Sequence, residues 1–400
     1  MTNPTPTTTQ PRPYLTTAAY YLAFIGLGLT VAMSGPTLPF LARHTASQLD
    51  QISLIFVAGS FGYLLGSLLG GRAYDRYPGH RILSVMLLAI AATSALVPII
   101  PRLWLLAVVL FLVGMSQGAL DVGCNTLLIW VHGKKVGPFM NGLHFFFGVG
   151  TFISPLIIAR VISARGDVHW AYWLFALFLL PIAAWFWRLP SPAMRMEQSG
   201  NEPVRKVPVL PIVLFVLFFT LYVGSEVGFG NWIYTYAVKL NLSSETAAAY
   251  LTSAFWGSFT LGRLLGIGIS TRVKPKTILS VDLCGCLVAL AVLIAWPASS
   301  TALWAGVILL GLSMASIFAT TLAFAEEHMH LTGTITGWFL VGSGAGGMIL
   351  PWVIGQFFQR RGPQSVMIII LIDVIVNLAL LVVLITRRRN SKASTETVSP

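Results

Sequence analysis

LGSLLGGRAYDRYPGHRIL, residues 65–83, returns as LGRLLGIGISTRVKPKTIL at residues 261–279. Gly66 falls on Gly262, Gly70 on Gly266 and Arg76 on Arg272, all at an offset of 196. GMSQGALD (114–121) lies over GLSMASIF (311–318) at an offset of 197. Further along, Gly148 falls on Gly344, Gly150 on Gly346 and Pro155 on Pro351. Three separate segments agreeing on an offset to within one residue mark a chain made of two similar halves.

Composition says where those halves live. Of 400 residues 56% are hydrophobic and only 10% charged, where a soluble domain carries roughly 25% charged side chains. Lipid must cover much of such a surface. Twelve apolar runs can be read, each near the ~20 residues that span a bilayer as helix. They lie at 14–40, 50–71, 82–100, 103–131, 137–163 and 169–189, then at 209–238, 246–270, 277–297, 300–325, 333–359 and 364–386. Strands of a membrane barrel would need only about 10 residues each. The expectation is an all-α membrane protein of twelve transmembrane helices in two pseudo-symmetric six-helix halves. Its parts are a tail at 1–13, halves at 14–189 and 209–386, a Pro-punctuated polar linker at 190–208, and a basic tail at 387–400.

Basic residues set the expected orientation. With the N-terminus inside, 17 of 25 Lys and Arg residues fall on cytoplasmic segments, and Arg263 lies within a span. The other side holds seven: Arg43, Arg102, Arg160, Arg165, Lys239, Arg360 and Arg361. The bias puts both termini in the cytoplasm of an inner-membrane protein. It also accounts for the net charge of +12 without any basic domain for nucleic acid. Residues 1–13 lack the basic and short apolar regions of a cleaved signal. Cys124, Cys284 and Cys286 all lie in apolar runs, so no disulfide framework, metal site or cofactor is expected.

GGRAYDRYPGHR, residues 70–81, sits between the second and third runs. It resembles the loop signature of the major facilitator superfamily, with Gly71, Asp75, Arg76, Gly79 and Arg81 carrying the match and Pro78 as an insertion. Small glycines admit close helix packing, and Asp75 is placed to accept from helix N-termini or to pair with arginine. The resemblance implies a gate that latches the cytoplasmic face during the conformational cycle. The second copy has Thr271 where Asp75 stands, so a strong latch is expected on one half only.

Inside the fourth run, Gln117, Asp121 and Asn125 are spaced i, i+4, i+8 and form one stripe of a helix. Such a stripe cannot face hydrocarbon, where each unpaired polar group costs several kcal/mol. It must face a cavity or a polar helix, and Gly114 and Gly118 beside it admit a close neighbour. The fifth run offers Asn141, His144, Gly148, Thr151 and Pro155 within about 80° of one another. The seventh offers Tyr222 and Glu226, with Asn231 and Trp232 offset unless GFGN (228–231) unwinds. Repeated six-helix halves with a polar midplane are how several secondary transporters are built.

Asp121-x-x-x-Asn125, followed by FMNGLHFFFGVGTFISP (139–155), resembles the sugar–cation symporters of the fucose-permease type. With YVGSEVGFGNWIYTYA (222–237) and FWGSFTLGRLL (255–265), the similarity points to the sodium-dependent glucose transporter branch. The resemblance implies import of a monosaccharide or related polar metabolite, driven by a proton or sodium ion, in a protein that works as a monomer. Fucose permeases also carry an aspartate in helix one, where this chain has only Thr30, Ser34 and Thr37. Sugar hydroxyls need amide and carboxylate partners, and the sugar's apolar face stacks on aromatic rings. Gln117, Asn125, Asn141, His144 and Asn231 supply the first; Tyr222 and Trp232 supply the second. Coupling needs a buried group that can take a proton or balance a cation, for which Asp121 and Glu226 are the candidates. Each has a plainer alternative, Asp121 as hydrogen-bonding glue and Glu226 as a partner for Arg263.

Asp282 reads as snorkelling toward the inner surface, and nothing in the sequence accounts for Asp373. No enzyme signature is present: there is no Walker loop, GxSxG elbow or HExxH. Export of drugs or amphipathic metabolites by proton antiport is the alternative on the same fold. An aromatic, methionine-rich cavity would favour it.

Overall fold

The computed structural model describes residues 13–192, 209–329 and 331–396. Among them are fifteen α-helices and no strand. The first six apolar runs fold as α1 (Pro13–Ala32) with α2 (Ser34–His44), α3 (Leu49–Ile52) with α4 (Leu54–Tyr74), α5 (Gly79–Leu96), α6 (Leu103–His132), α7 (Val136–Arg165) and α8 (His169–Arg188). The next six fold as α9 (Val209–Lys239), α10 (Glu245–Ser270), α11 (Pro275–Ala295), α12 (Ser300–Met314) with α13 (Ile317–Glu326), α14 (Gly333–Arg361) and α15 (Ser365–Glu396). That makes twelve spans in two sets of six.

Eleven of the spans among the described residues are long and apolar enough to cross a membrane on that ground alone. The twelfth, α10, is equally long, but Glu245, Arg263 and many Ser, Thr and Gly dilute its hydropathy. Three spans are interrupted, at Met33, Ser53 and Ala315–Ser316. Where a helix breaks inside a membrane its freed carbonyls need new donors. The Met314 carbonyl takes the Tyr222 hydroxyl at 2.8 Å, while the Met33 carbonyl keeps the Thr37 backbone N–H at 3.2 Å and adds the Thr37 hydroxyl at 2.8 Å. The last helix continues past residue 386 to Glu396, into what reads in sequence as a basic tail.

Within the first half, α4 and α6 cross at backbone contact. A Cβ on Gly62 or Gly66 would run into the carbonyls of Phe111 and Met115; one on Gly114 or Gly118 would meet those of Gly59 and Tyr63. Small residues four apart are the standard means of close approach in lipid, where no hydrophobic drive joins helices. This packing carries the polar stripe of α6 up against α4.

The two halves meet at one end and part at the other. At the end away from the loop motif, Gly35 of α2 lies against the backbone of Gly230 and Asn231 on α9. There Arg43 pairs with Glu245 at 3.4 Å, and Gln356 donates to the Asp50 carbonyl at 2.9 Å. Deeper, the Ser253 hydroxyl reaches the Phe152 carbonyl at 2.6 Å and Ser60 the Gly347 carbonyl at 3.3 Å. All hydrogen bonds and ion pairs between the halves, among described residues, lie in this part of the bundle. Toward the loop motif the halves diverge, and Asn141 and His144 are exposed. The structure is closed at one face and open at the other.

Candidate functional site

The stripe on α6 is built as a connected network. Gln117 is buried and donates to the Thr30 hydroxyl of α1 at 2.9 Å. One turn on, the half-buried Asp121 carboxylate accepts from the Tyr63 hydroxyl of α4. Asn125 donates to both the Asp121 side chain and its carbonyl, each at 2.9 Å. The glycine crossing of α4 and α6 is what brings Tyr63 within reach. Asp121 therefore has two neutral donors and, among the described residues, no direct ion-pair partner. A carboxylate so held is polar enough to persist, yet its charge is left unbalanced by protein.

The second half contributes a different cluster. Glu226 on α9 is half-buried beside the Tyr222 hydroxyl and within electrostatic reach of Arg263 on α10. The Arg263 guanidinium lies over the Phe259 ring at 4.5 Å and also acts on His144 of α7 in the first half. Arg263 thus lies within electrostatic reach of a titratable group in each half. His144 itself is exposed, with its ring edge-on to Phe24 at 5.9 Å. Asn141, one turn nearer the loop-motif end, is also exposed.

The seventh span corrects part of the sequence reading. The GFGN segment does not unwind: α9 runs unbroken, and Asn231 donates to the Val227 carbonyl one turn back at 2.9 Å. Trp232 consequently points away from the opening. It is fully buried against Phe56 and Phe358, and its N–H donates to the Pro351 carbonyl at 2.9 Å. Tyr222 is 2% exposed and caps the break in the tenth span. In this conformation neither ring is a stacking platform.

At the open end, the loop motif is half anchored and half presented. His80 is fully buried, bonded to the Tyr20 hydroxyl at 2.7 Å and to the Leu189 carbonyl at 3.3 Å. Leu127 packs where a side chain on Gly79 would stand. Asp75, Arg76 and Arg81 are exposed, Gly71 has open space beside it, and Asp75 makes no hydrogen bond or ion pair among the described residues. The expected pairing of Asp75 is absent among the described residues of this structure. Arg12, Arg195, Arg205 and Lys206 of the basic count lie outside the described residues.

Two remaining acids are also placed. The Ser316 hydroxyl, at the break in the tenth span, donates to Asp282; the carboxylate braces that break and does not snorkel. Asp373 on α15 is 4% exposed and accepts from Ser225 of α9 at 2.6 Å. Tyr63 and Arg263 are the polar residues that sequence reading undervalued. Tyr63 stands next to Gly62 in a glycine-spaced run, a weak signal that it faces another helix.

Two six-helix halves around a polar core that opens on one face only define a secondary transporter. The sequence profile of the Major Facilitator Superfamily matches residues 20–351, and the chain belongs to that superfamily. It is 32% identical over 381 residues to "Sodium-dependent glucose transporter 1" of Danio rerio, covering 86% of this chain and 64% of that protein. It is 30% identical over 372 residues to "Sodium-dependent glucose transporter 1A" of Mus musculus, covering 84% and 88%. In fold it is similar to the crystal structure of the nucleoside transporter NupG, with a TM-score of 0.72, 13% identity and coverage of 92% and 98%. A bacterial homolog to the human lysosomal transporter Spinster, solved in an inward-facing and occupied conformation, gives 0.71, 12% identity and coverage of 93% and 94%.

Proposed function

We propose that this transporter imports a monosaccharide or a related polar metabolite together with a proton or a sodium ion, by alternating access. The observation that carries the reading is the Asp121 network: a half-buried carboxylate with only neutral hydrogen-bond donors, set in a row of amides. Such a group is suited to a coupling cation, because an arriving sodium ion or proton supplies the charge balance that the protein withholds. Gln117, Asn125, Asn141, His144 and the free carbonyl oxygen of Asn231 are the sugar's partners. Glu226, moderated by Arg263, is the second charged group of the cycle. The relatives named as sodium-dependent glucose transporters support the substrate class. With the loop-motif end in the cytoplasm of an inner membrane, and both termini there, the conformation described is inward-facing. Residues 14–189 and 209–386 would be the rocking halves of a functional monomer.

Uptake of a radiolabelled monosaccharide panel into proteoliposomes, under an imposed proton or sodium gradient, tests the reading. Accumulation of at least one hexose, abolished when the gradient is collapsed, is expected. Accumulation of none, with gradient-driven expulsion of an amphipathic cation instead, would overturn it.

A further inference from the structure

The closed end carries a feature the transport reading does not use. Helix α7 ends at Arg165, and Gly166 in the left-handed region (φ +71°) turns the chain back into α8. The turn lays Trp170 against the Arg165 guanidinium at 4.8 Å. Arg160 stands about one and a half turns below on the same helix. Both arginines are exposed, and neither has a carboxylate partner among the described residues. Asp167, the nearest acid in sequence, is turned to His169, accepting from its backbone N–H at 3.1 Å.

Beneath the two guanidiniums runs a groove of about 500 Å³. Its walls are Leu156, Ile157 and Val161 of α7, Leu174 of α8, and Tyr250 of α10. The walls are apolar, the rim is cationic, and a tryptophan lies at the level where indoles gather at a membrane surface. Two unpaired arginines at this end also run against the charge bias of the chain, which places most basic residues at the other. Guanidinium is the side-chain group best matched to phosphate, through paired N–H donors.

We propose that this groove binds one anionic glycerophospholipid. Its phosphodiester would sit between Arg160 and Arg165, and an acyl chain would follow Leu156, Ile157 and Leu174 into the bilayer. Because Tyr250 belongs to the second half and the other walls to the first, the bound lipid touches both halves at the closed end.

Native mass spectrometry of the full-length protein, released from nanodiscs of mixed phosphatidylglycerol and phosphatidylcholine, tests this without any transport substrate. The parent is expected to retain one phosphatidylglycerol molecule in preference to phosphatidylcholine. The double variant Arg160→Gln/Arg165→Gln should lower that occupancy about tenfold. Arg361→Gln, an exposed arginine at the repeat-related position of the other half, should leave it unchanged. Equal retention of the two lipids by the parent, undiminished occupancy in the double variant, or an equal loss in Arg361→Gln would each overturn the proposal.

Discussion

The Ser225 hydroxyl donates to the Asp373 carboxylate across 2.6 Å, joining the seventh span to the twelfth one residue before Glu226. Asn377, one turn on, places its amide on the same helix, with nitrogen facing the Phe218 carbonyl at 3.3 Å and oxygen facing the Tyr222 N–H at 3.1 Å. That orientation is the one in which donors meet acceptors. α15 therefore holds two successive turns of α9 by side chain, and so fixes the rotation at which Tyr222 and Glu226 are presented. Hydrogen bonds between membrane helices are worth about 0.6 kcal/mol on average and up to about 1.7. Asp373→Leu should lower the thermal stability of the purified protein by an amount in that range. Asp373→Asn keeps an acceptor for Ser225 and should stay near the parent. A melt in which the asparagine variant loses as much as the leucine variant would show that the hydrogen bond is not what matters.

The closed end is secured more by packing than by charge. Arg43 and Glu245 are 3.4 Å apart, but their side chains are 62% and 35% exposed, and exposed pairs contribute about 0–1 kcal/mol. By contrast, Gly35 sits against the α9 backbone at a distance that leaves no room for a Cβ. Arg43→Gln should shift the balance between open and closed faces by no more than about fivefold, and less at high salt. Gly35→Leu should prevent closure of this end. Accessibility of Ser53→Cys, a position buried against Gly355 of the other half in the closed end, read with a membrane-impermeant thiol reagent in a background lacking the three native cysteines, would report both. A larger effect from Arg43→Gln than from Gly35→Leu would contradict the ranking.

Much of this architecture is legible in the sequence because its cause is local. Length and hydropathy define the spans, and a shared offset relates Gly66 to Gly262 and Pro155 to Pro351. The α6 stripe is also local, since helical spacing alone aligns Gln117, Asp121 and Asn125. What could not be read is the partner of each group on another span. Tyr63 reaches Asp121 only because α4 and α6 cross at glycine contact, and Asp373 finds Ser225 only through the rotation of α15. Trp232 shows the opposite failure. Read beside Asn231 it suggests a sugar platform, but an unbroken helix carries it about 100° further round, into α14.

Asp75 is exposed and unpartnered in this conformation. A residue can bias an equilibrium only through interactions that differ between its states. If Asp75 latches the opposite conformation, Asp75→Ala should favour the present one and slow turnover. Equilibrium binding of substrate from the open face should stay within about twofold of the parent. Initial transport rates set beside equilibrium binding on the same preparation separate the two quantities. A large loss of binding would place Asp75 in the site and not in the gate.

Asp121 gives the sharpest test, because three substitutions alter the same hydrogen-bonded network in different ways. Asp121→Asn preserves shape and can still accept from Tyr63, but it can neither take up a proton nor balance a sodium ion. It should abolish accumulation against a gradient while leaving sugar binding or gradient-independent exchange in place. Tyr63→Phe leaves the carboxylate and removes one donor to it, and a hydrogen bond to a charged group is worth about 1.5–3 kcal/mol. With one donor fewer, the carboxylate should hold the coupling cation more tightly, so half-saturation by the cation should fall roughly tenfold while sugar specificity is retained. Asn125→Ala removes the other donor and an amide assigned to the sugar, so it should weaken sugar binding by about 1–3 kcal/mol. Counterflow and gradient-driven uptake, measured on the three variants in the same vesicles, distinguish these outcomes. If Asp121→Asn accumulates sugar as the parent does, Asp121 serves the packing of α4 on α6, and Glu226 with Arg263 carries the coupling.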